Sequence, residues 1–168
     1  MMKLLLFVIC LLPFMALSAF SQSPEIQIQS LKGLPGIAIA MHKYPSELEQ
    51  DGLTMKEIGI EAEQRLRKAG IKVLTLNEAM MSPGSPLFEI EIGAVKSDAG
   101  IYAVSIRLKL DQNVITQRPP SIGTHVATWE VGNLVMVGRN NLRQIKDEVG
   151  DGMDIFINDF LSANPKTK

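Results

Sequence analysis

Residues 88 to 110 decide the fold: Phe88-Glu89-Ile90-Glu91-Ile92, then a break, then Tyr102-Ala103-Val104-Ser105-Ile106-Arg107-Leu108-Lys109-Leu110. The period is two in both halves. Phe88, Ile90 and Ile92 share one face and Glu89 and Glu91 the other, while Tyr102, Val104, Ile106, Leu108 and Leu110 oppose Ser105, Arg107 and Lys109. The segment from Lys96 to Gly100, with Asp98-Ala99-Gly100, supplies the turn of a hairpin. Antiparallel pairing then sets Glu89 and Glu91 opposite Arg107 and Lys109, a charged row for an open face, with the apolar row buried.

Downstream, Val114-Ile115-Thr116 prolongs the second strand until Pro119-Pro120 stops it. A further strand covers Thr124 to Val131, with a break at Gly132-Asn133 and a return through Leu134 to Val137. The last element is a helix from about Asn141 to Leu161, on which Leu142, Ile145, Val149, Met153, Phe156 and Phe160 recur at three- and four-residue spacing. Gly150 and Gly152 interrupt it, each costing roughly 1 kcal/mol relative to alanine, and mark either a bend or a close crossing over the sheet.

Upstream, Met80 to Pro86 reads as a loop around Pro83-Gly84-Ser85-Pro86. Before it, Thr54-Met55-Lys56-Glu57 fits a capping box, with Leu53 and Ile58 placed for a hydrophobic staple. Ile58, Ala62, Leu66 and Ala69 continue that helix until Gly70 ends it. Ile37 to Met41 on one side and Ile71, Val73 and Leu76 on the other read as strands, which gives a β-α-β unit. The expected architecture is α+β: this unit, an antiparallel meander and a long C-terminal helix, about five strands with two helices on one face.

The N-terminus reads as an export signal. Lys3 precedes the apolar run Leu4 to Leu17, and Ser18-Ala19-Phe20-Ser21 supplies small residues for cleavage after Ser21, with cleavage after Ala19 as the alternative. The run is shorter than the ~20 residues needed to span a bilayer, and Pro13 interrupts it. Phe7-Val8-Ile9-Cys10 lacks the small residue of a lipobox, so the chain's single cysteine leaves with the peptide. The expected organisation is a signal peptide over 1–21, a polar arm over 22–30, one domain over 31–163 and a tail over 164–168.

Composition narrows the chemistry. Of 168 residues, 17 are Lys or Arg and 18 are Asp or Glu, which supplies no clustered positive charge for nucleic acid or an anionic membrane. A mature chain without cysteine has no disulfide, thiol nucleophile or thiolate metal site. His42 and His125 are the only histidines, and no third donor stands at a recognisable spacing to complete a metal centre with them. Asp147, Glu148, Asp151 and Asp154 recur on the final helix as a solvated face rather than a calcium loop. Ser82 and Ser85 lie in no nucleophile elbow, and the glycines form no phosphate loop. Trp129, the single tryptophan, reads as core. No catalytic residue, cofactor or metal is assigned.

The stretch Arg65-Leu66-Arg67-Lys68-Ala69-Gly70-Ile71-Lys72-Val73-Leu74 resembles, in its architecture, the α/β domain of Tol-system and curli-type secretion proteins. Gly33-Leu34-Pro35-Gly36, Ala127-Thr128-Trp129 and Phe156-Ile157-Asn158-Asp159-Phe160-Leu161 resemble phrases of small uncharacterised exported bacterial proteins. The resemblance implies a periplasmic or cell-envelope accessory module and carries over no active site. Two functions are therefore expected to compete. One is a non-catalytic interaction module that binds an envelope protein or a copy of itself, through the sheet edge near Ile37 to Met41 or His125 to Val131 or through the polar face. The other is a small hydrolase or ligand-binding protein whose site is gathered from distant strands.

Overall fold

In the computed structural model, residues 23–42 and 44–165 are described; the expected signal peptide lies outside them. The elements are α1 (Pro24–Ser30), β1 (Ala38–His42), α2 (Ser46–Gln50), α3 (Met55–Lys68), α4 (Leu76–Met80), β2 (Leu87–Lys96), β3 (Ile101–Ile115), β4 (Gly123–Gly138), a 3-10 turn (Arg139–Asn141) and α5 (Arg143–Ala163). The fold is α+β. A mixed sheet of four strands in the order β1-β2-β3-β4 pairs β1 parallel to β2 and the rest antiparallel.

The hairpin forms in the expected register, with Glu89 opposite Lys109 and Glu91 opposite Arg107. Its turn closes through Gly100 N to Ser97 O and Ser97 N to Ile101 O. Tyr102, Val104, Ile106, Leu108 and Leu110 are all buried under the helices. Trp129 is buried as well, with its ring 4.9 Å from Phe156, which stacks in turn 4.5 Å from Phe88. The Thr54 capping box is present in both directions, and α3 ends at Lys68, two residues before Gly70, whose φ of 80° is the left-handed stop. The expected apolar face of α5 is buried from Leu142 to Phe160, and α5 runs unbroken through its glycines. They mark close approach, not a bend: a Cβ on Gly150 would press on Arg65 of α3, and one on Gly152 on Leu108 of the sheet.

Four strands replace the expected five. Ile71 to Leu74 runs extended beside β1 but contributes one parallel bridge, Ile37 with Val73, held by Ile37 N to Lys72 O and Leu74 N to Ile37 O. Leu76 belongs to no strand because Thr75-Leu76-Asn77-Glu78 is a second capping box, with Thr75 Oγ1 accepting from Glu78 N at 3.2 Å, and it starts α4. That helix packs Ala79 on Ala38, Leu74 and Leu87, on the sheet face opposite α3 and α5. The expected break at Gly132-Asn133 is absent, since β4 is one continuous strand.

The polar arm is a helix. Pro24 stands at its first position and Glu25 in its first turn, both favourable there. It lies against the outer edge of β4, where Ser30 Oγ donates to Thr128 O at 3.2 Å and Glu130 N donates to Gln27 Oε1 at 3.0 Å. Asn164, expected in the tail, accepts from Gly33 N at 2.7 Å and donates to Leu31 O at 2.9 Å. No helix among the described residues is long and apolar enough to cross a membrane.

Candidate functional site

The sheet face turned away from α3 and α5 carries the polar residues the sequence singled out. Across it run successive rows: Ala40, Glu89, Lys109 and Glu130; Glu91, Arg107 and Gly132; Gly93, Ser105 and Leu134; and Val95, Ala103 and Met136. The first two rows are charged. The last two have a floor of glycine, serine and alanine, and Val95, Leu134 and Met136 stand exposed on it.

Lys109 was expected to be exposed, yet only 19% of its side chain is accessible. Its ammonium donates to Glu89 Oε2 at 2.9 Å, Glu91 Oε1 at 3.1 Å and Asp111 Oδ2 at 3.3 Å. Burial alone lowers its pKa, but the hydrogen bonds to Glu89, Glu91 and Asp111 outweigh that and hold it above the ordinary lysine value. Arg107 remains open to solvent, 3.9 Å from Glu91. Asp111 was overlooked in the sequence although it continues the alternation Arg107, Lys109, Asp111. A bulge between Leu110 and Asp111 shifts its partner on β4 to Ala127. Its Oδ1 is buried without a hydrogen-bond partner.

The two histidines are not brought together. His42 pairs with Glu91 on the β1 edge and His125 with Asn113 on the β4 edge, with β2 and β3 between them. His125 borders a cleft with Leu76, Met80, Ser85, Leu87 and Asn113. Its Nδ1 is 4.0 Å from Asp111 Oδ2 and its Nε2 is 3.4 Å from the backbone carbonyl of Ser85. The Ser85 hydroxyl is engaged elsewhere, accepting from Asn113 Nδ2 at 2.9 Å and donating to Met80 O at 3.3 Å. A serine, a histidine and an aspartate are thus close in space, but no serine-to-histidine hydrogen bond links nucleophile to base. Ser82 donates to Glu78 O, as a helix-end hydroxyl does.

A second polar cluster lies at the other end of the hairpin. Asp51, almost wholly enclosed, accepts from Tyr102 Oη at 2.6 Å and Lys96 Nζ at 2.7 Å, and Arg139 is 2.9 Å from its other oxygen. Hydrogen bonds from Lys96 and Tyr102 hold its carboxyl below the ordinary value. Every member is paired, and the cluster fastens α2 to the β2–β3 turn. On α5, Asp154 is paired with Arg65 at 3.0 Å, whereas Asp147 and Asp151 are exposed, as a solvated face requires.

Among the described residues no three His, Cys, Asp or Glu side chains are grouped to hold a metal ion. The open face therefore presents a charged half, in which Arg107 and Lys109 stand among the carboxylates of Glu89, Glu91, Asp111 and Glu130, an apolar half, and a shallow cleft at His125. Family models, curated proteins and solved structures yield no match to this chain.

Proposed function

We propose that this chain is an exported, non-catalytic interaction module of the cell envelope or periplasm, released by cleavage near Ser21. The observation that carries the reading is the apolar half of the open sheet face. Leu134 and Met136 are 71% and 67% exposed there, with exposed Val95 on the same face, and no helix among the described residues covers them. Apolar side chains stand exposed elsewhere too, Met81 and Ile115 among them, but these adjoin on one open sheet face, and contiguous exposed apolar side chains mark a contact surface. The export signal and the resemblance to envelope accessory domains support the compartment. Affinity capture of the exported protein from its own envelope tests the reading: a reproducible partner lost on Met136→Lys is expected, and capture that ignores this substitution overturns it. Intact-mass spectrometry tests the compartment, since retention of Met1 to Ser21 makes the segment an anchor.

One observation favours a second reading, a small periplasmic hydrolase or ligand-binding protein: His125 stands in a cleft beside the carboxylate of Asp111. Turnover in a hydrolase screen that His125→Ala abolishes would establish it in place of the first.

A further inference from the structure

The outer edge of β4 carries no strand, but it is not uniformly open. α1 occupies its middle, satisfying Thr128 O through Ser30 and Glu130 N through Gln27. From Gly132 to Gly138, where the strand ends, nothing backbone lies on it among the described residues. This stretch reads Gly132-Asn133-Leu134-Val135-Met136-Val137-Gly138, which has no charge and no proline, the usual means of blunting an edge. It is also nearly symmetric about Val135.

We infer that residues 132–138 pair antiparallel with the same residues of a second copy, about a two-fold axis through Val135, to make one continuous eight-stranded sheet. The inference rests on the interaction-module reading and names its partner. Because Glu130 N and Leu134 N both point outward, to Gln27 and to Asn133 Oδ1, the even-numbered residues carry the outward amides. Pairing about Val135 sets even against even: Leu134 against Met136 of the second copy, and Gly132 against Gly138. Each exposed apolar side chain then meets another, and each glycine a glycine.

Length fits the pairing. The second copy's strand stops at Gly138 just before the place where Gln27 already holds Glu130, so α1 is not displaced. Seven residues a side bury less than the ~800 Å² per partner of a standard interface, so the pair dissociates on dilution.

The test uses the exported protein with Cys10→Ser, so that an introduced thiol is alone. In this register Val135 faces itself in a non-hydrogen-bonded pair, with Cα atoms ~4.5 Å apart, within disulfide reach. Val135→Cys is expected to crosslink to a dimer faster than Asn133→Cys or Val137→Cys. Light scattering is expected to show the mass double on concentration. Leu134→Pro, which removes an outward amide and no bond to β3, is expected to stay monomeric with an unchanged circular dichroism spectrum. Equal crosslinking at 133, 135 and 137, or a monomer at every concentration, overturns the pairing. A monomer that still captures an envelope partner overturns the pairing alone; a monomer that captures none sinks the module reading with it.

Discussion

Gly152 of α5 lies so close to Leu108 of β3 that a Cβ on the glycine would overlap the leucine's Cδ1, and Leu108 is fully buried. The helix therefore sits lower on the sheet than any larger residue permits.

Gly152→Ala pits a helix-propensity gain of about 1 kcal/mol against an overpacking cost of about 1–3 kcal/mol. The clash wins because the buried Leu108 must leave its rotamer, although the cleft it lines with Val131, Gly152 and Ile155 takes up part of the overlap, and a net loss of about 1 kcal/mol is expected. At Gly150 the obstacle is the guanidinium of Arg65, a third exposed and free to swing outward. Gly150→Ala should thus stay within about 0.5 kcal/mol of the parent, the propensity gain offsetting a weakened surface ion pair. Urea unfolding of the two variants, followed by Trp129 fluorescence, separates them.

Phe156→Ala removes a fully buried ring that touches Phe88, Trp129 and Phe160. A loss of about 3–5 kcal/mol is expected. An unchanged melting temperature would place α5 outside the cooperative unit.

Lys109→Met leaves Glu89, Glu91 and Asp111 without the ammonium that holds them together. The expected cost is about 3 kcal/mol, the lower end for breaking a buried ion pair, since part of the lysine is solvated. In the parent, the raised lysine pKa contributes stability that is complete below the unfolded lysine value and lost as pH rises through the folded one. Stability measured from neutral to alkaline pH should fall in the parent and not, for this cause, in the variant.

Asp51 works in the opposite direction. Its carboxyl is held below the ordinary value, so its contribution is present above the unfolded value of ~3.9 and lost as pH falls through the folded one. Asp51→Asn should be less stable than the parent at neutral pH and should lose less on acidification. Glu57 and Glu78, lowered by hydrogen bonds from Thr54 and Thr75, keep part of the acid slope in both proteins. Thermal melts from pH 7 to pH 2 read the difference.

Legibility followed the physics of each signal. The hairpin and α5 were readable because their periods of two and 3.6 continue for many residues, and chance rarely sustains that. Thr75 to Glu78 carries the same box as Thr54 to Glu57, but Ile71, Val73 and Leu76 imitate a strand. Leu76 betrays the imitation by standing exposed at the start of α4. Gly132 suggested a break, whereas a strand tolerates it because a Cβ there would crowd Ile106 O at 3.2 Å. Lys109 was assigned to solvent because alternation tells which face a side chain takes and not how its neighbours close over it. The Asp51 cluster joins residues up to 88 positions apart, Asp51 to Arg139, and only tertiary structure brings such charges together.

Asn164 has a mechanical consequence. By holding both Gly33 N and Leu31 O, it ties the end of α5 to the segment that follows α1. A pull applied through the two ends of the described chain is met by this small clasp together with the α1 contacts to β4 at Gln27 and Ser30. A chain held at one end and pulled at the other would part at Asn164 and at α1 before its core opens. Asn164→Ala should therefore lower the force of the first extension event in single-molecule pulling and leave the force of full unfolding unchanged.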